Sequence, residues 1–157
     1  MRYFSGLLFL LVASYLAWPY FVVFYQLDNA IILNDQAKLE KLIDLSAVRT
    51  VYKETLENNL KNTVGGQNAP WGDLVRQGVQ AIGNPTIDAT IDYKWVRERL
   101  LRLGKNRPLQ SFADSISFAF YESPTRFTAR IGKLGDNPTY VQLILQDWSW
   151  RVTAIYE

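Results

Sequence analysis

Two side chains that enzymes commonly use for acid–base or nucleophilic chemistry, histidine and cysteine, are missing from this chain. These absences remove the commonest general base, the commonest zinc ligand and the Ser-His and Cys-His nucleophile pairs. An acid–base step would have to use carboxylates, lysine or tyrosine, and the tyrosines on predicted strands are Tyr121, Tyr140 and Tyr156. We therefore predict that the protein is not an enzyme and has no catalytic residue, cofactor or metal site.

One pair of carboxylates has a spacing that could hold a shared proton or a hard cation. Asp88 and Asp92 end the two similar triplets Thr86-Ile87-Asp88 and Thr90-Ile91-Asp92. Two acids without a histidine or a third ligand make a weak metal site, whereas threonine and aspartate are common helix caps. The repeat therefore predicts helix caps.

A cluster of basic residues is the other candidate site. The members that we predict to contact anionic lipid or an acidic partner are Lys94, Arg97, Arg102, Lys105 and Arg107. Each basic side chain near an anionic membrane contributes about 1 kcal/mol of binding. A solvated helix face would have the same pattern, so that alternative stays open. The whole chain has 17 basic and 15 acidic residues, and this near balance argues against binding to nucleic acid.

An uncharged run of 25 residues at 3–27 is the element that would fix the location of the remaining chain. As a helix it would measure about 37 Å, more than the roughly 30 Å hydrocarbon core of a bilayer. Arg2 precedes the run, and no lysine or arginine follows it until Lys38. By the positive-inside rule the N-terminus stays in the cytoplasm and the remainder is exported. We predict a transmembrane anchor over residues 1–27.

A cleaved signal peptide is the alternative, and it would need small residues at alternate positions before the cut. A cut after Ala17 would place Tyr15 two residues upstream, and a cut after Ala13 would place Leu11 there. An uncleaved anchor fits better, because aromatic side chains suited to the membrane–water interface are concentrated here. The aromatic residues that we predict to contact the membrane or other membrane-protein subunits are Tyr15, Trp18, Tyr20, Phe21, Phe24 and Tyr25.

Residues 28–157 are predicted to form one α+β domain, with helices within residues 34–104 and strands within residues 112–157. Without cysteine, the domain has no disulfide and must be stabilised by hydrophobic burial. Apolar residues recur at helical spacing in several segments, which are 34–43, 46–62, 72–82, a short helix from Pro85, and 93–103. We place the start of the second helix at Ser46 and the cap of the last helix at Asp92.

After Pro108 the apolar period becomes two, which is typical of strands. Ile116, Phe118 and Phe120 form the apolar side of the first strand, and three further strands follow at short intervals. This pattern predicts a four-stranded antiparallel meander covered by the preceding helices. Such an arrangement is remotely similar to the cystatin-like and nuclear-transport-factor-like cones, an analogy at fold level that implies no function.

Short motifs in the chain carry a family resemblance. They are Trp18-Pro19-Tyr20, Gln26-Leu27-Asp28-Asn29-Ala30, Asn34-Asp35, Leu39, Leu42-Ile43-Asp44, Val48-Arg49, and Asp147-Trp148-Ser149-Trp150-Arg151-Val152 with Ile155. Together they resemble a bacterial membrane-anchored family catalogued as domain of unknown function 2939. The resemblance implies a bacterial source, an inner-membrane location and a soluble domain in the periplasm, and it implies no activity.

We therefore expect a non-catalytic, membrane-anchored accessory or binding module that faces the periplasm as a subunit or assembly partner of a membrane complex. The alternative is a small-ligand-binding domain, or an enzyme that depends on carboxylates or tyrosine, with a pocket on the concave face of the sheet. A deep apolar cavity with a buried carboxylate would favour that alternative.

Overall fold

The chain folds as the sequence predicts, with an apolar N-terminal helix, further helices and a four-stranded antiparallel meander in the order β1-β2-β3-β4. A computed structural model describes residues 2–63, 85–103 and 111–156. The helices are α1 (Arg2–Phe21), α2 (Asp28–Ile32), α3 (Gln36–Leu42), α4 (Leu45–Thr63), α5 (residues 85–90) and α6 (Tyr93–Leu103). The strands are β1 (Ile116–Ser123), β2 (Arg126–Ile131), β3 (Thr139–Gln146) and β4 (Ser149–Tyr156). The helix predicted at residues 72–82 lies outside the described residues, and the cone analogy stays a prediction.

The apolar helix is longer than the uncharged run that predicts it. A π-helical segment, Val22–Leu27, joins α1 to α2, so that the helix continues to Ile32. Asn34, just after the end of the helix, has a positive φ of 51°. There the N–H of Asp35 donates to the carbonyl of Ala30 at 3.1 Å and the N–H of Asn34 to that of Ile31 at 3.4 Å. These two bonds form a Schellman motif, which satisfies the last carbonyls of the helix.

Aspartate side chains start the next two helices. The Asp35 carboxylate accepts a bond from the N–H of Lys38, and this bond lowers the pKa of Asp35. The Asp44 carboxylate accepts from the N–H of Ala47 at 3.0 Å. Because Asp44 is the cap, α4 begins at Leu45, and the predicted start at Ser46 was late by one residue. Asp92 caps α6 through the N–H of Trp95 at 2.7 Å, as predicted.

The edge strand β1 differs from its predicted pattern. Phe118 is 54% exposed, while Ala119 and Tyr121 pack against the core. The pairing of β1 with β2 is irregular between Ile116 and Phe118, and such an irregularity interrupts the alternation of side chains between the two faces. The Arg130 guanidinium lies 5.5 Å from the Phe118 ring centre, a distance that allows a cation–π contact on the exposed face.

One hydrophobic core joins the helices to the sheet. The sheet contributes Phe127, Leu143 and Trp150, each at most 1% exposed. The apolar helix contributes five buried residues, and α6 contributes two. These helical residues are Val22, Val23, Leu27, Ala30, Ile31, Val96 and Leu100. The apolar helix from Val22 onward is therefore part of the folded domain.

Candidate membrane and partner interface

The apolar helix has two segments with different surroundings. In the free segment, residues 3–14, every side chain except the half-buried Ala13 is exposed, with Phe9 at 72% and Leu11 at 62%. In the core segment, residues 22–31, five apolar side chains and that of Asp28 are buried in the domain. By length and composition the helix Tyr3–Ile32 could cross a membrane, although a signal sequence near an N-terminus has the same properties.

The six aromatic residues predicted to contact a membrane or partner fall into two groups. Tyr15, Trp18 and Tyr20 lie against the domain, Trp18 as a half-buried residue packed on the core. The Tyr15 hydroxyl donates to the carbonyl of Pro124 at 2.6 Å, and the Tyr20 hydroxyl to that of Ala119 at 3.2 Å.

The second group stays uncovered by the part of the chain that the structure describes. Phe21, Phe24 and Tyr25 are 52%, 41% and 59% exposed, and the rings of Phe21 and Tyr25 stack at 5.2 Å. These three side chains therefore remain available to lipid or to another protein.

A proline between the two helical segments explains a contact that sequence reasoning missed. Pro19 has no N–H, so it cannot bond to the carbonyl of Tyr15 four residues earlier. The Tyr121 hydroxyl shares its single proton between that carbonyl at 3.0 Å and the carbonyl of Leu16 at 3.2 Å. Pro19 could have predicted this contact from the sequence, because a proline inside a helix leaves the carbonyl four residues earlier in need of another donor.

The same tyrosine belongs to a ring cluster that fixes the helix on the sheet. The Phe127 ring lies 4.7 Å from Tyr20 and 5.3 Å from Tyr121, both edge to face. Trp150 lies 6.0 Å from Tyr121. Burial, with the nearby Tyr15 and Tyr20 as smaller causes, raises the pKa of Tyr121 to about 12. Tyr121 therefore acts here as a neutral hydrogen-bond donor, and this is a structural role.

A cavity of about 480 Å³ lies beside the far end of the apolar helix. Tyr25, Asn29 and Leu33 line it from the helix, and Lys38 and Lys41 line it from α3. Lys38 also pairs with Asp35 at 3.3 Å. The cavity has helical walls, so it differs from the predicted pocket on the concave face of the sheet. Its two lysines favour an anionic ligand.

The predicted basic cluster is divided by its contacts. Arg97 is half-buried, and its Nε donates to the carbonyl of Ile31 at 2.7 Å, at the end of the core segment. Lys94 and Arg102 are exposed, and Lys94 lies 3.9 Å from Glu98. Lys105 and Arg107 lie outside the described residues. Arg97 thus holds α6 to the apolar helix, and the cluster as a binding site stays a prediction.

The two carboxylates of the Thr-Ile-Asp repeat have separate structural roles. Asp92 caps α6, whereas Asp88 pairs with Lys53 at 2.8 Å. Arg49 donates to the backbone carbonyls of Asp88 and Ile91, which ties α4 to the end of α5. Within residues 2–63, 85–103 and 111–156, no three acidic side chains lie close enough together to hold a metal ion.

Comparison with known proteins places the chain in a family. A family model described as Protein of unknown function (DUF2939) matches residues 8–98, which is more than half of the 157 residues. No curated protein and no solved structure matches the chain. The matched region includes most of the free segment, the whole core segment, α3, α4 and the first half of α6. The chain therefore belongs to the DUF2939 family, in agreement with the resemblance of its short motifs between Trp18 and Arg49.

Proposed function

We propose that this protein is a non-catalytic accessory or binding module, anchored in a bacterial inner membrane by its N-terminal helix with its domain in the periplasm. The free segment supports the anchor. Ten consecutive residues, 3–12, are all exposed, and eight of them are large apolar side chains. An uncovered apolar surface of this kind needs lipid or protein around it.

The distribution of charge supports the orientation. Arg2 precedes the free segment, and the next basic residue is Lys38, beyond the end of the helix. Positive charge close to one end of a span keeps that end in the cytoplasm. A reporter that is active only in the periplasm, fused after Glu157, should give a signal, and the same fusion to a cytoplasmic reporter should not. A silent periplasmic reporter with an active cytoplasmic one would reverse the orientation.

Retention of the helix is tested by the mature N-terminus. An anchor predicts a full-length protein that resists extraction by alkaline carbonate. A signal peptide would release a shortened soluble form that begins near Trp18. Mass spectrometry of the protein from washed membranes separates these two outcomes.

The accessory role is supported by the aromatic side chains Phe21, Phe24 and Tyr25, which stay exposed beyond the contacts with the domain. A photo-crosslinking residue at Phe24 should capture a stoichiometric membrane protein. One at Leu134, which is more exposed and lies on the far turn of the sheet, should capture it less. Equal labelling at both sites, or a lone monomer in every detergent, would contradict the accessory role.

The cavity beside α3 favours a second candidate function, the binding of a small anionic ligand between Lys38 and Lys41. Native mass spectrometry of the purified protein should then show a bound anion, and Lys41→Gln should reduce its occupancy. Lys133→Gln, which also removes one positive charge, is the matched control because Lys133 is exposed and does not line the cavity.

A further inference from the structure

Two hairpin turns lie at the end of the sheet that faces the free segment. In a meander, consecutive turns alternate between the two ends, so the turn at Pro124 and Thr125 and the turn at Asp147 and Trp148 share one end. The N–H of Leu145 donates to the carbonyl of Thr125 at 2.9 Å, which joins the two hairpins there. We call these four turn residues the hairpin rim.

The contacts of the helix fix its direction relative to the hairpin rim. Tyr15 bonds to Pro124 at the rim, while Tyr20 bonds to Ala119, further along β1 and away from the rim. The helix therefore runs away from the rim as the residue number rises. Its free segment projects in the opposite direction, past the rim.

The length of the free segment then limits how far the domain can stand from a membrane. Residues 3–14 span about 18 Å as a helix, against about 30 Å of hydrocarbon. A helix that begins at the near edge, where the charge of Arg2 holds it, needs about 20 residues to reach the far edge. In a bilayer of ordinary thickness that edge would fall near Val22, beyond the contact of Tyr15 with the rim, but a bilayer thins around a span that is too short, which brings its headgroup layer to the rim. The rim cannot then stand clear of the bilayer.

One exposed residue of the rim, Trp148, has a side chain and a backbone conformation that suit a membrane contact. Trp148 is 78% exposed and has a φ of 60°, and Asp147 before it has a φ of 46°. Two-residue turns with both φ values positive usually contain asparagine and glycine. A bulky side chain in this conformation is uncommon, and such an outlier suggests a functional constraint. Tryptophan is the residue type that collects at membrane interfaces.

We propose that the hairpin rim is a lipid-contact surface, with the Trp148 indole in the headgroup layer of the membrane that the free segment crosses. The domain then lies directly on the bilayer instead of standing off it. This inference rests on the proposed membrane anchor and adds the orientation and the contact surface of the domain.

The absence of native cysteine allows a direct test with single labelling sites. The full chain carrying Trp148→Cys is spin-labelled and reconstituted into phosphatidylcholine and phosphatidylglycerol vesicles. Leu134→Cys is the matched control, because Leu134 is 73% exposed in the turn at the opposite end of the sheet. Leu11→Cys, in the free segment, reports on the anchor itself. Each label is tested for collision with oxygen, which enters lipid, and with a nickel chelate, which stays in water.

The expected result is a graded series. The label at residue 11 should collide mainly with oxygen, the label at residue 148 should be intermediate, and the label at residue 134 should collide mainly with the chelate. An aqueous label at 148 beside a lipid-embedded label at 11 would overturn the lipid contact and leave the anchor standing. Aqueous labels at both sites would overturn both.

Discussion

The free segment and the core segment of the apolar helix have the same kind of sequence and opposite surroundings. Leu11 in the free segment is 62% exposed, whereas Leu27 in the core segment is fully buried against the domain. Both lie in one uninterrupted helix. An uncharged apolar run therefore indicates how much apolar surface must be removed from water. Whether lipid or protein covers that surface depends on contacts with the rest of the chain.

The change from one environment to the other coincides with irregular backbone. Pro19 lies inside α1, and the π-helical segment Val22–Leu27 follows it. Both features leave backbone groups that the regular helical pattern does not satisfy. Tyr121 satisfies two carbonyls from outside the helix. The sheet is thus hydrogen-bonded to the helix at the point where the helical backbone is irregular.

Truncating one leucine in each segment tests most strongly whether the two segments have different surroundings. Leu27→Ala should lower the free energy of unfolding by about 2–5 kcal/mol, because it leaves a cavity in the core. Leu11→Ala should change it by less than about 0.5 kcal/mol, because Leu11 is 62% exposed and does not belong to the core. Denaturant unfolding of the full chain in one detergent measures both. Equal losses would show that the two segments do not differ.

The converse experiment acts on the membrane instead of the fold. Leu11→Arg should cost about 2.5–3.5 kcal/mol of insertion near the centre of a span. Carbonate extraction should then release the protein, while unfolding in detergent stays as in the wild type. Leu134→Arg, which charges an even more exposed apolar residue in a turn of the sheet, should leave membrane retention unchanged. Retention of the Leu11→Arg protein would argue against a span.

Sequence patterns predicted those elements that depend on local signals. The bounds of α6 at Tyr93 and Leu103 follow from an aspartate cap and an apolar stripe, and both were predicted. The meander followed from period-two segments separated by turn residues. Each of these signals lies within a few residues of the feature that it predicts.

Features that depend on distant contacts could not be predicted in the same way. Tyr15 reads as an interface aromatic, yet its hydroxyl bonds to Pro124, more than 100 residues later. Phe118 reads as a core residue, and an irregular pairing with β2 leaves it exposed. Arg97 reads as one of several surface cations until α6 is placed against the apolar helix. In each case the deciding neighbour is remote in sequence.

Substitution of Arg97 and Arg102 tests the contact between α6 and the end of the core segment. Arg97→Gln should lower the free energy of unfolding by about 1.5 kcal/mol, because the guanidinium no longer donates to the carbonyl of Ile31. Arg102→Gln removes the same charge from an exposed position of α6 and should have little effect. Thermal unfolding of both variants in detergent gives the comparison. A larger loss for Arg102→Gln would contradict the assigned role of Arg97.

The smallest expected effect concerns the hydroxyl that joins the sheet to the helix between the two segments. Tyr121→Phe keeps the ring contacts and removes the bonds to Tyr15 and Leu16, so it should cost about 1 kcal/mol at neutral pH. The native pKa of Tyr121 is raised from 10.0 to about 12. Between these values the folded state holds a proton that the unfolded state has lost, so stability is complete below pH 10 and falls as the pH rises towards 12. Unfolding measured across this range should show a smaller alkaline loss for Tyr121→Phe than for the wild type. Identical alkaline losses would mean that the hydroxyl of Tyr121 is not held in a buried, bonded state.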